Sequence, residues 1–492
     1  MAEIKVESQL SIADLKIGQE SRSAESDVTF DRKNPVTGAV ASTAAAATTN
    51  DAAAAAEAAR AAFPDWSKTG PGRRRQLLNK AADFLEDMQQ DFVDAMVAET
   101  GAAPMWAAFN VKVGAATLRE AAAITTRIVG ETIPSNRPGT MSLAIKRPVG
   151  PMLGIAPWNA PVILGVRSIA MPIACGNTIV LKGSEKCPKT HRLIVDAFEK
   201  AELPDGVLNY ITNAPDDAPA IAETLVTHPA IKRINFTGST KVGKIIASLA
   251  AKDLKPALLE LGGKAPMAVL SDADIGEAVN GAVFGSFFNQ GQICMSTERL
   301  IVDRSIADNF VKAFVARAQT VEAGDPALNN SALGAVVEES TAAHVRALIA
   351  DAKEKGARCV LEGAVNGTIM QPNIVDGVTP DMRLWTEESF GPIVAVAHAD
   401  GDDEIVRLAN DTEYGLSAAV YGKELSRLLN VASQIESGIC HINAPTVYDE
   451  PQMPFGGVKS SGYGRFGGSF SADEFTETRW VTLNANPIQS PI

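Results

Sequence analysis

Cysteine and histidine are scarce in this chain, with five of each in 492 residues. The cysteines, at 175, 187, 294, 359 and 440, form no CxxC pair and no metal-like cluster with the histidines. Such an odd, scattered set excludes a disulfide framework and fits a reducing cytoplasm, and no metal is expected. A long hydrophobic run is also missing. The most apolar stretch, around 149–166, is interrupted by Pro151, Pro157 and Pro161 and falls short of the ~18 residues of a membrane span. The opening MAEIKVESQLSIADLK mixes charged and apolar groups and has no apolar signal core, so a cytoplasmic protein is expected. Basic excess is absent too. The formal net charge is −13, spread along the chain, which argues against nucleic acid or an anionic membrane as partner.

What is present is enough apolar material for a large core. Hydrophobic residues make up 46% of the chain and charged ones 21%. At roughly 100–200 residues per domain, that length accommodates two to four domains. Residues 1–30 are polar and read as a loose arm. The alanine-rich run 51–63 reads as helix, followed by amphipathic helix over 73–100 and 106–127. From Met152 to Leu261, short β-rich runs (MLGIA, TIVLK, VLNYI, IKRINF, ALLEL) alternate with helical stretches such as 190–202 and 240–251. A second alternating set starts at Met267: MAVL, helix 274–289, RLIVD, helix 305–320, and later AAVYG and GICHIN. The expected fold class is α/β, with two parallel α/β domains in series. Residues 129–148 and the tail after Phe470 have hairpin and edge-strand character and fit neither set.

Five segments carry candidate chemistry. In FFNQGQICMS (287–296) an apolar helix runs into a polar turn, and Cys294 follows. A thiol there can be a nucleophile if nearby dipoles or charges favour the thiolate; taken alone, a lone cysteine reads as a small buried hydrophobe. In LLELGGKAP (258–266), Glu260 ends a strand-like run before two glycines, where a sheet's carboxyl edge faces a crevice. It is either a solvated surface group or a carboxylate whose pKa is raised by burial, able to act as a base. In IAPWNAP (155–161), Asn159 stands between two prolines, where it can cap the following helix or offer its amide to an oxyanion. NTIVLKGSE (177–185) ends a strand with Lys182 and Glu185, a solvated ion pair or a ligand site. INFTGSTKVGKII (234–246) places Gly238 and Ser239 at a strand-to-helix turn, which suits a pyrophosphate at the helix N-terminus.

These segments, in this order and together with EESFGP (387–392) and PQMPFGGVKSSGYGR (451–465), resemble the aldehyde dehydrogenase superfamily. The likeness extends from about Asn34 to about Thr478. It implies a Rossmann-like cofactor domain (1–128 with 149–260), a catalytic domain (261–468) and small bridging segments for oligomerisation (129–148 and 469–492). It implies Cys294 as nucleophile, Glu260 as the base that activates water, and Asn159 as oxyanion amide beside the Cys294 backbone N–H. For NAD, with NADP as the alternative, it implies Lys182 and Glu185 at the adenosine ribose. Gly238, Ser239 and Gly243 then lie at the pyrophosphate, and Trp158, Glu388 and Phe390 around the nicotinamide half. The sequence KGSE departs from the K-P-x-E found in many relatives.

Substrate selection is harder to read. Leu164 and Arg167 follow Asn159 on the next helix, Ile293 and Met295 flank Cys294, and Phe288 ends its helix; Trp106 and Tyr448 are further tunnel candidates. Apolar members of this set are also what core packing would use, whereas Arg167 needs a polar partner. The runs AAPMWAAFNV and VYDEPQMPFGGVKSSGYGRFGG resemble bacterial enzymes acting on salicylaldehyde, vanillin or hydroxybenzaldehydes. The expected function is oxidation of an aromatic aldehyde by a homodimer or homotetramer. Two rivals stand beside it: a CoA-acylating semialdehyde dehydrogenase, disfavoured by Glu260, and a non-enzymatic protein reusing the fold.

Overall fold

Five buried aliphatic runs in the first half pair side by side and in parallel. In the computed structural model, which describes residues 12–328 and 331–487, they form the centre of an eight-stranded sheet. Their spatial order is Leu208–Ile211, Ile179–Lys182, Met152–Ile155, Arg233–Thr237 and Ala257–Glu260. Neighbouring side chains on one strand enter opposite cores, as the two-residue period of a strand requires. Met152 joins the core that also holds residues of helices Pro71–Asp87, Pro104–Ile124 and Pro161–Ala174, while Leu153 joins the one containing residues of Thr49–Trp66 and Ala218–Thr227.

The second half builds a seven-stranded sheet in the order Arg358–Leu361, Asn373–Asp376, Ile393–Ala399, Thr297–Asp303, Ala265–Val269, Ser417–Tyr421 and Ile439–Ile442. All of it is parallel except the Arg358–Leu361 edge. Besides the Arg358–Leu361 edge, two of its strands, Asn373–Asp376 and Ile393–Ala399, do not appear in the sequence reading. Both lie within the sheet and so lack the polar alternation that marks a half-exposed strand.

Two local expectations are corrected. Within the supposed arm, Leu15–Ile17 and Glu20–Arg22 form a hairpin on the edge of the first sheet, with Lys16 opposite Tyr210 and Leu15 fully buried. Residues 1–11 of that arm lie outside the described residues. The helix expected over 73–100 is two helices, Pro71–Asp87 and Gln89–Thr100, divided at Met88 without a proline or glycine. The hairpin character of 129–148 holds: Glu131–Pro134 and Thr140–Pro148 form a separate three-stranded antiparallel sheet with Thr476–Asn484. Residues 488–492 of the tail lie outside the described residues.

Candidate active site

In chain order the five parallel strands of the first sheet are arranged 3-2-1-4-5, so connections run in opposite directions from Met152–Ile155 and Arg233–Thr237. Crevices for ligands open at the carboxyl ends of such a pair. The segment after Ile155 carries Trp158 and Asn159, and the segment after Thr237 carries Gly238 and Ser239. Topology alone therefore brings two of the motifs to one crevice.

The turn before Cys294 is held residue by residue. Asn289 and Gln290 adopt left-handed backbone, at φ 49° and 57°, and Gly291 continues it at φ 69°. Their side chains hold that conformation in place. Asn289 Nδ2 donates to the Asn159 main-chain oxygen (3.0 Å), Gln290 Nε2 to Ala335 O (2.7 Å), and Gln292 Oε1 accepts from Val337 N (3.0 Å). Asn159 returns the contact, its Nδ2 donating to the Gln292 main-chain oxygen at 2.9 Å. Trp106 Nε1 adds a second bond to Asn159 O (3.0 Å). The helix Pro161–Ala174 has no side-chain cap, so Asn159 is not spent on capping. One of its two amide protons remains, and the Cys294 backbone N–H donates to no protein group among the described residues.

Glu260 is the last residue of its strand and is buried, yet neither carboxylate oxygen has a hydrogen-bond partner among the described residues. Burial pushes its pKa up to about 7, opposed by Arg167 and the Cys294 thiol. The two glycines that follow are there for close approach. A Cβ on Gly262 would lie 2.8 Å from Glu388 Oε2, and one on Gly263 would lie 2.3 Å from the Cys294 carbonyl. Burial, Glu260 and Glu388 together raise the Cys294 thiol well above its ordinary value. The condition that nearby charges favour the thiolate is not met here: two acids act on the sulfur, and Arg167 opposes them as a minor influence. Activation of Cys294 thus calls for a base, and the unpartnered Glu260 is beside it.

Two cavities meet at this point. One, of about 220 Å³, is lined by Trp158, Gly238, Ser239, Glu260, Glu388 and Phe390. The other, of about 280 Å³, is lined by every tunnel candidate: Trp106, Leu164, Arg167, Phe288, Ile293, Met295 and Tyr448. Asn159, Leu164 and Cys294 belong to both. The sequence reading missed Phe109, Phe284, Asp449 and Phe455 in the second cavity. Helical spacing carried a signal for two of them, since Phe109 lies three residues after Trp106 and Phe284 four before Phe288. The rings cluster, Trp106 edge-on to Phe288 at 5.0 Å and Phe284 stacked on Phe288 at 4.7 Å.

Residues 22–481 match the model of the aldehyde dehydrogenase family. The chain belongs to that family. It is 55% identical over 478 residues to a vanillin dehydrogenase of a Pseudomonas species, a match covering 97% of this chain and 99% of the relative. A solved salicylaldehyde dehydrogenase from Pseudomonas putida G7, in complex with salicylaldehyde, superposes with a TM-score of 0.96 at 48% identity, covering 98% of this chain and all of that one. A betaine aldehyde dehydrogenase from Staphylococcus aureus in complex with NAD+ gives 0.94 at 29% identity, covering 98% and 97%. The enzyme is accordingly an NAD(P)-dependent aldehyde oxidoreductase.

The first cavity of this aldehyde dehydrogenase gathers Trp158, Gly238, Ser239, Glu388 and Phe390. Gly238 leaves room at the turn, where a Cβ would stand 2.6 Å from the Phe236 ring. Ser239 caps the 13-residue helix Thr240–Lys252, whose first turn contains no acid to oppose a phosphate. Gly243 lies inside that helix, where a Cβ would strike Leu261 at 2.4 Å; its contribution is packing against the strand end. Glu388 accepts from Gly263 N at 2.8 Å, and burial with Glu298 nearby raises its pKa to about 8. Phe390 meets Trp158 edge-on at 5.8 Å. Lys182 and Glu185 lie outside this cavity's lining and make no ion pair with each other; the Lys182 ammonium is buried and donates to Gly183 O at 3.2 Å. Among the described residues no group of His, Cys, Asp and Glu could hold a metal, and no helix is long and apolar enough to cross a membrane.

Proposed function

We propose that the enzyme oxidises aromatic aldehydes carrying a ring hydroxyl to their carboxylic acids, with NAD as the preferred cofactor. The observation that carries this reading is the second cavity: a box of aromatic rings with one polar wall, opening onto Cys294. Rings seated against Trp106 and Phe288 gain edge and offset contacts. The polar wall is a buried ion pair, Arg167 with Asp449, and Arg167 also lies 4.3 Å above the Phe455 ring. Arg167 is therefore not a free guanidinium waiting for a phenol. The pair offers N–H donors and a carboxylate acceptor together, which suits a hydroxyl because a hydroxyl both donates and accepts. The Tyr448 hydroxyl is turned to Glu450 at 2.7 Å, leaving its ring for the substrate. The names of the vanillin and salicylaldehyde relatives point the same way.

An aldehyde has no leaving group, so its carbon must first become tetrahedral. Glu260 takes the thiol proton, the Cys294 thiolate attacks the carbonyl carbon, and the oxyanion is held by the Asn159 amide and the Cys294 N–H. When bound, the nicotinamide supplies the hydride acceptor. The acyl group then remains as a thioester on Cys294; Glu260 passes the thiol proton on to solvent and, as carboxylate again, deprotonates the attacking water, and the Cys294 thiolate leaves. Around the cofactor, Trp158, Glu388 and Phe390 would face the nicotinamide half, Gly238 and Ser239 the pyrophosphate, and Lys182 with Glu185 the adenosine ribose. Comparing kcat/KM across benzaldehyde, hydroxybenzaldehydes and short aliphatic aldehydes tests this reading, which fails if the aliphatic aldehydes are preferred.

The same reading divides the chain into a cofactor domain (1–128 with 149–260), a catalytic domain (261–468) and bridging segments (129–148 and 469–492) of a cytoplasmic homodimer or homotetramer. Exposed Trp480, Met141 and Ile133 on the three-stranded sheet support it. Light scattering of the purified protein gives the oligomeric state, and a monomer would remove the bridging role.

A further inference from the structure

Glu298 is a buried carboxylate that the reaction described above does not use, and it stands four residues after Cys294. Its side chain reaches the backbone of the segment 388–390. Ser389 N donates to both carboxylate oxygens, at 2.9 and 3.0 Å, and Phe390 N donates to Oε1 at 3.2 Å. The Lys264 ammonium completes the set, donating to Glu298 Oε2 and, at 3.1 Å, to the Ser389 hydroxyl. A carboxylate has about four lone-pair sites, so one lysine and one loop engage Glu298 fully.

The loop needs such an anchor. Phe390 has left-handed backbone, at φ 44°, which a bulky residue keeps only where its surroundings impose it. The sheet does not impose it, because 388–390 precede the ladder. Strand Ile393–Ala399 pairs with Asn373–Asp376 from Ile393 onward, and with Thr297–Asp303 only from Ala395, opposite Arg299. Glu388 has contacts of its own, its carboxylate with Gly263 N at 2.8 Å and its main-chain oxygen with His344 Nε2 at 3.2 Å. The next two N–H groups go to Glu298. The resulting backbone turns the Phe390 ring edge-on to Trp158, in the cavity that opens on Cys294. Just beyond, the loop backs onto the turn before the nucleophile, where a Cβ on Gly291 would meet Gly391 O at 2.2 Å.

We propose that Glu298, paired with Lys264, is a positioning residue that sets Glu388 and Phe390 against the nicotinamide half of the cofactor. This rests on the cofactor reading given above. Without the carboxylate, Phe390 relaxes out of the left-handed region and carries its ring and the Glu388 carboxylate with it. The turn before Cys294 keeps its separate bonds from Asn289, Gln290 and Gln292. Displacing a positioned group by about 1 Å can cost on the order of a hundredfold in rate.

The test is the double variant Glu298→Leu with Lys264→Met, which changes no net charge and leaves neither partner buried alone. NADH affinity is followed by fluorescence titration, and alkylation of Cys294 by iodoacetamide, without cofactor, by peptide mass. NADH is expected to bind about ten- to a hundredfold more weakly, as the loss of hydrogen bonds to a charged group implies, with a lowered kcat. Cys294 alkylation is expected to keep its wild-type rate, which a generally loosened fold would not allow. Wild-type NADH affinity, or a change in alkylation as large as the change in affinity, overturns the proposal. Should the double variant fail to fold, Glu298→Gln decides: its one acceptor oxygen cannot serve both the lysine and the two N–H groups. Weaker NADH binding with unchanged alkylation then supports the proposal, and any other result overturns it. Phe390→Ala is titrated in parallel. If it binds NADH as wild type does, the loop is not at the cofactor, and the cofactor reading falls together with the proposal. If Phe390→Ala weakens NADH while the Glu298 variants do not, the proposal alone fails.

Discussion

The amide nitrogen of Asn159 lies 2.9 Å from the main-chain oxygen of Gln292, two residues before Cys294. One side chain thereby holds the turn before Cys294 and keeps a second N–H, the one proposed to receive an oxyanion. Asn159→Ala should lower kcat by about 10²–10³-fold, the usual cost of losing one such donor. NADH affinity should change little. Steady-state rates beside a binding titration check this, and an unchanged kcat would refute the oxyanion role.

Cys294→Ala should still bind NADH but form no product, because the tetrahedral carbon cannot be made. Turnover above roughly a thousandth of wild type would sink the assignment.

Glu260 sets the pH profile. Its carboxylate form is the base and its pKa stands at about 7, so kcat/KM should rise with pH through neutrality and level off above it. Glu260→Gln should lose that limb and turn over slowly. Stability should move the opposite way. A carboxyl with a raised folded pKa costs the folded state nothing below its unfolded pKa and most above the folded one. Glu260→Gln should therefore be more stable than wild type above about pH 7, by about 3 kcal/mol at most, and equal to it near pH 4. Thermal melts across pH measure this; a variant less stable at pH 8 would contradict the burial cost.

Glu185 should make NAD preferred over NADP, because a carboxylate near the ribose accepts a hydroxyl hydrogen bond and repels a phosphate. Glu185→Gln should narrow the ratio of kcat/KM values. A wild-type advantage for NADP refutes this.

Arg167→Leu should reduce kcat/KM for hydroxybenzaldehydes about ten- to hundredfold more than for benzaldehyde. It also leaves Asp449 without its buried partner, which typically costs about 3–5 kcal/mol of stability. Arg167→Leu combined with Asp449→Leu should recover that stability but not the selectivity. If benzaldehyde and its hydroxylated forms fall together in the folded double variant, the pair serves only the wall's structure.

Much of this site was legible without coordinates. FNQGQIC, LELGGK and APWNAP have few other physical uses: a left-handed turn, a glycine pair for close approach and an asparagine flanked by prolines. Helical spacing placed Leu164 and Arg167 on the tunnel face, and strand-like runs marked the five central strands of the first sheet. The edge hairpin at 15–22 escaped because three-residue strands have too little pattern to read. The helix break at Met88 escaped because nothing in LEDMQQD disfavours a helix.

The sequence by itself determined which groups could act: a thiol, an acid and an amide at fixed places along a chain of alternating strands and helices. Only the tertiary structure decided their state. The Asp449 that occupies Arg167 is 282 residues away in the chain, and the carboxyls that raise the Cys294 thiol, Glu260 and Glu388, come from separate segments. Desolvation and pairing depend on what surrounds a group in space. Spacing along one chain segment does not encode them.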